Sequence, residues 1–63
     1  MIELIVERWR DLDGSEHFLW SVWQDGKRVE MSGRLASAAT AETQGCAWCE
    51  KAFARGPDRT TQL

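Results

Sequence analysis

Cys46-Ala47-Trp48-Cys49 has the spacing of a dithiol redox pair or of half a zinc site. A redox CxxC works best at a helix N-terminus, where the dipole lowers the pKa of the first thiol. Here the pair falls in the middle of a helical pattern, about two turns past its start. On the wheel Cys49 points inward with Trp48 and Cys46 lies on the flank, and a disulfide between them would distort the helix. A structural zinc ion needs about four ligands, whereas the chain has two Cys and one His. The expectation is one core thiol and one half-exposed thiol, with no metal and no cofactor.

His17 follows the acidic stretch Asp11, Asp13, Glu16, a composition that could serve a general base or a cation. Such groups must converge in a pocket, and 63 residues leave little room to build one. A solvated turn beside a surface histidine accounts for the same residues. There is no Ser-His-Asp arrangement, no phosphate-cradling glycine loop and no metalloprotease spacing. A non-enzymatic protein with no catalytic residue is the expectation.

The elements that position these groups are legible from periodicity. Asp25-Gly26 suits a two-residue type I′ turn between β-forming runs. Pairing Gln24 with Lys27 sets Val22 against Val29 and Trp20 against Met31 on a face built for a core. The other face carries Leu19, Ser21, Trp23, Arg28 and Glu30. Upstream, residues 2–10 alternate Ile2, Leu4 and Val6 against Glu3, Ile5, Glu7 and Trp9. A three-residue loop at Asp13-Gly14-Ser15 places Val6 beside Val22 and Ile5 beside Trp23, and a shift of two residues preserves the same faces.

The spacing predicts strands over 2–10, 17–24 and 27–33 and a helix over about 38–55, with Ser37 as N-cap. Ala41, Gly45, Trp48, Cys49, Ala52 and Phe53 form the buried stripe, small at its start so that the helix can lie close to the sheet. Gly56-Pro57 is the expected stop, with glycine at C′. The tail, 57–63, either adds a short edge strand or frays. The fold class is α+β: a three-stranded antiparallel meander packed on one C-terminal helix, βββα, with room for a short fourth strand, in one domain over 1–63.

Phe18, Trp20, Val22, Asp25-Gly26, Val29, Ser32, Ala36-Ser37 and the helix through Gly45 resemble the small bacterial YegP-like domains. Those have an aromatic-alternating strand, an Asn/Asp-Gly hairpin, a third strand ending in Ser, and a Ser-led helix. The resemblance spans about half the chain and implies the fold, and those relatives carry no established activity. The chain departs from the family at Leu35-Ala36, where an aromatic is usual, and in having Cys46 and Cys49. The sheet-plus-helix outline is also similar to the arm-type DNA-binding domains of integrases, a likeness of fold alone.

Composition narrows the function further. With 43% hydrophobic and 29% charged residues the chain is neither disordered-like nor membrane-like. No apolar run approaches the roughly 20 residues that span a bilayer, and Met1–Glu7 reads as a strand, not a signal peptide. A cytoplasmic location is the default expectation. A net charge of −2 argues against non-specific phosphate binding.

The uncovered face, with Ile5, Trp9, Leu19 and Trp23 among Glu3, Glu7, Arg28 and Glu30, is the expected site of action. A homodimer or another protein partner is the leading expectation. The alternative is nucleic acid bound through Trp23 with Lys27 and Arg28, against which the glutamates speak. The plainer possibilities are indoles lying flat over neighbouring side chains, or a tail that covers them. A basic rim gathering Arg8, Arg10, Lys27, Arg28 and Arg34 at one end of the sheet is a further expectation.

Overall fold

Positive φ at both Asp25 (50°) and Gly26 (85°) lets the chain reverse in two residues between two strands. The computed structural model describes all 63 residues, in the order β1 (Ile2–Arg10), β2 (Glu16–Gln24), β3 (Lys27–Met31), α1 (Ala38–Phe53) and β4 (Arg59–Gln62). The strands form one mixed sheet ordered β3-β2-β1-β4, with β4 parallel to β1 and the other pairs antiparallel. The α+β class, the three-strand meander and the following helix are as the sequence implies. The tail resolves into a fourth strand.

The core lies between α1 and the β1–β2 centre of the sheet. Ile2, Leu4, Val6, Trp20, Val22, Ala41 and Cys49 are buried, with Phe18, Leu35, Trp48 and Phe53 packed around them. Burying one large aliphatic side chain such as Leu4 or Val22 contributes about 1.5–3 kcal/mol. Trp20, Trp48 and Phe53 close one side of this core through ring centroids 6.1 and 5.7 Å apart. At Gly45 the helix backbone reaches the sheet surface directly above Leu4. Ala52, expected in the stripe, is exposed.

Three features differ from the sequence expectation. β1 and β2 pair Val6 with Trp20 and Ile5 with Ser21, the two-residue alternative. The first turn is therefore wider: the ladder ends at Arg10–Glu16, and the Asp11 carbonyl accepts from the Gly14 amide at 3.0 Å. Both registers keep the same faces inward, so alternation alone could not separate them.

The second difference is a bulge in the hairpin. Gln24 pairs with Lys27 and Trp23 with Arg28, but Val22 then pairs with Glu30 and Ser21 with Met31. Val29 is the extra residue, and everything beyond it changes face. Val29 and Met31, expected in the core, are 43% and 42% exposed, while α1 packs only on β1 and β2. The strand ends at Met31, two residues early. Ser32 then turns the chain while its hydroxyl accepts the Trp20 amide at 2.9 Å, and Leu35 and Phe18 exchange two backbone hydrogen bonds. That brings Ser37 into place as N-cap, its Oγ accepting from the Thr40 amide.

The third difference is the helix stop. α1 ends at Phe53 with Ala54 in the left-handed region (φ 60°), and Gly56 does not serve as C′. The early exit lets Asp58 meet the start of β1. The Asp58 amide donates to the Ile2 carbonyl at 2.8 Å, and its carboxylate accepts from the Ile2 amide at 2.7 Å and from Nη1 and Nη2 of Arg55. This clamp starts β4 alongside β1.

Candidate interaction face

Rows across the open side of the sheet follow from the registers. One row reads Arg28, Trp23, Glu3, Arg59 from β3 to β4, and the next reads Met31, Ser21, Ile5, Thr61. Beyond them lie Leu19 with Glu7, then His17 with Trp9. Ile5, Trp9, Leu19 and Trp23 thus share one face that α1 does not cover, as the alternation implies. Ile5, Leu19 and Trp23 are half-buried, and Trp9 is 52% exposed.

Met31 and the β4 residues Arg59 and Thr61 on this face escape the sequence reading. Met31 replaces Glu30 there because of the Val29 bulge, so the face is more apolar and less acidic than expected. Arg59 arrives with β4, whose partner strand and direction no local pattern reveals. Its Nε and Nη2 donate to Glu3 Oε2 at 3.0 and 2.8 Å, and the Thr61 hydroxyl donates to the same oxygen at 2.9 Å. The Thr61 hydroxyl and then Arg59 hold the Glu3 carboxyl below its ordinary range.

Trp23 does not stand upright. Its indole N–H donates to Ser21 Oγ at 2.9 Å, and Ser21 is only 2% exposed although nothing from the helix reaches it. The indole therefore lies across the row beside Ile5, which is the flat arrangement considered above. The tail covers no indole; it extends the sheet edge. Between Trp23, Ile5 and the Glu3–Arg59 pair the face sinks into a hollow of about 340 Å³, with Asp25 and Met1 at its end. The Met1 ammonium and Asp25 carboxylate are paired at 2.6 Å, so the polar rim of the hollow is balanced in charge. Its floor is apolar.

The basic rim does not form. Lys27 and Arg28 stand at the Asp25-Gly26 end, whereas Arg8, Arg10 and Arg34 stand at the opposite end, beside the first turn. Antiparallel strands put successive turns at opposite ends, and β1 spans about 30 Å between them. Arg10 is also paired with Glu16 at 2.7 Å and Arg34 with Asp11. Lys27 and Arg28 are exposed and make no ion pair.

The remaining groups make local contacts. His17 Nδ1 lies 3.1 Å from the Arg34 guanidinium, which also binds Asp11, so the cluster ties the β3–α1 connection to the first turn. Asp13 accepts the Ser15 amide and hydroxyl within that turn. Cys49 is fully buried and Cys46 half-buried, both as free thiols. Burial pushes both thiols up, with the Glu42 and Glu50 carboxylates adding to the effect at Cys46. A thiol so shifted is a weak nucleophile near neutrality. No three His, Cys, Asp or Glu side chains gather as a metal-binding group, and no helix is long and apolar enough to cross a membrane.

Fold and face together define a small α+β module with one helix-covered and one open sheet surface. Compared with family models, curated proteins and solved structures, the chain matches none of them.

Proposed function

We propose that this protein is a non-enzymatic interaction module that self-associates through the open face of its sheet. The observation that carries this reading is the uncovered apolar strip of Ile5, Leu19, Trp23, Met31 and Trp9. Contiguous apolar surface of this kind usually marks an interface. The ionic groups beside the strip favour a protein surface over a phosphate backbone. Glu3 and Arg59 neutralise one another, and Glu7 remains as free negative charge.

Size-exclusion chromatography with light scattering, run with and without reductant, tests this directly. A dimer that persists in reductant, and a Trp23→Asp variant that is folded and monomeric, are the expected results. A native protein that stays monomeric at high concentration would end the self-association reading. A dimer lost in reductant would move the contact to Cys46.

Arg28 directly opposite Trp23, with Lys27 beside it, supports nucleic-acid binding as the second reading. It requires a change in tryptophan fluorescence with oligonucleotides at low salt, reversed steeply as salt rises.

A further inference from the structure

Trp9 and the hollow beside Trp23 sit on the same face, at opposite ends of β1. Trp9 is the most exposed aromatic side chain of the chain, at 52%, and it has no aromatic partner. The hollow, about 340 Å³ with Ile5 and Trp23 as its floor, is large enough to take an indole. A knob and a hole on one surface, separated along a strand, are what a two-fold interface requires, since each copy supplies what the other receives.

The geometry points to a face-to-face dimer in which Trp9 of each copy fills the hollow of the other. The two-fold axis runs parallel to the sheet, midway between the two open faces, and crosses the strand direction at the level of Val6 and Trp20. Trp9 stands three residues to one side of Val6 and Glu3 three residues to the other, so the rotation sets Trp9 of one copy over the Glu3–Trp23 row of its partner. The same rotation sets Leu19 over the level of Ser21, where the Trp23 indole lies.

Charge agrees with this docking. Glu7 makes no ion pair within its own chain, and Arg59 uses only Nε and Nη2 on Glu3. The rotation brings Glu7 to the Ile5–Thr61 row of the other copy, next to the row that holds Arg59. Area sets the scale of the contact. Strands about 4.8 Å apart and about 3.3 Å per residue give the four strands a face of about 430 Å² per copy. A pair thus buries about 860 Å², at the small end for a specific interface, where the two Trp9 anchors must supply much of the affinity.

This contact rests on the self-association proposed above, and complementation separates the two. Trp9→Ala removes the knob, and Ile5→Trp fills the hole with a residue that strands accept. Each variant alone should be folded by circular dichroism and should dimerise at least about 100-fold more weakly than the native chain, because both symmetric contacts are lost. Mixed one to one, they should form a heterodimer by sedimentation, since the intact Trp9 of one enters the intact hollow of the other. A Trp9→Ala variant that dimerises as tightly as the native chain would overturn this contact and leave self-association standing. A mixture that stays monomeric while the native chain dimerises would also overturn it. A native chain that is monomeric at millimolar concentration would overturn both.

Discussion

Gly45 sits on Leu4 so closely that a methyl group on its α-carbon would overlap the leucine side chain. A Cβ there would lie 3.0 Å from Cδ2 and 3.3 Å from Cγ of Leu4, and closer still to Cδ1. Leu4 is fully buried, so any shift of its side chain would have to be made within the packed core. The helix therefore seats on the sheet at this point, and the seat aligns the strands that carry the open face.

Gly45→Ala tests the seat. Alanine favours a helix interior by about 1 kcal/mol, yet overpacking costs about 1–3 kcal/mol, so a net loss is expected. Chemical denaturation should show a lower midpoint with an unchanged slope. Adding Leu4→Ala should cost less in the Gly45→Ala background than in the native one, a coupling that distant sites do not show. Strict additivity would mean the two residues are not in contact.

Acid should loosen β4 first. Arg55 and the Ile2 amide hold the Asp58 carboxyl at about 2, below its ordinary 3.8. The folded state therefore binds the proton more weakly than the unfolded chain does. The stabilisation is complete above about pH 4 and is lost as pH falls toward 2. Glu3, also held low, adds a loss in the same direction from its ordinary 4.5 downward. The melting temperature of Asp58→Asn should be lower at pH 6 and should fall less between pH 4 and pH 2. A native-like acid profile in that variant would remove Asp58 from this role.

Ala54 is held at φ 60° where a Cβ is unfavourable. Ala54→Gly should stabilise the protein by about 1 kcal/mol, the cost of left-handed backbone for an L-residue. For a domain of this size that corresponds to a rise in melting temperature of roughly 4–8 °C. An unchanged or lower melting temperature would place the helix stop elsewhere.

The cysteines should behave as packing groups. Iodoacetamide at pH 7.5 should modify Cys46 slowly and leave Cys49 untouched until the protein unfolds, because burial raises both thiols. Rapid modification of both in the native state, or a two-proton mass loss in mild oxidant, would restore a redox role for the pair.

Much of the open sheet face could be read from the chain because its signals are local. Alternation along residues 2–10 sorted Ile5 and Trp9 from Ile2, Leu4 and Val6, and the same rule separated Leu19 and Trp23 from Trp20 and Val22. Met31 and Arg59 were not legible. Met31 reaches the face through one unpaired residue, Val29, and Arg59 through the pairing of a tail with a strand more than fifty positions away.

The sequence by itself determined the Asp25-Gly26 reversal, the Ser37 cap, the two faces of β1 and β2, and the α+β order. Each depends on the steric or hydrogen-bonding preference of a few neighbouring residues. Only the tertiary structure decided the two-residue shift between β1 and β2, the bulge at Val29, the helix stop at Ala54, and β4 lying parallel to β1 as the Asp58 clamp holds it. Those outcomes compare arrangements that are nearly equal locally. Packing of the whole chain chooses among them, through the seat of Gly45 on Leu4 and the hydrogen bonds that join its two ends.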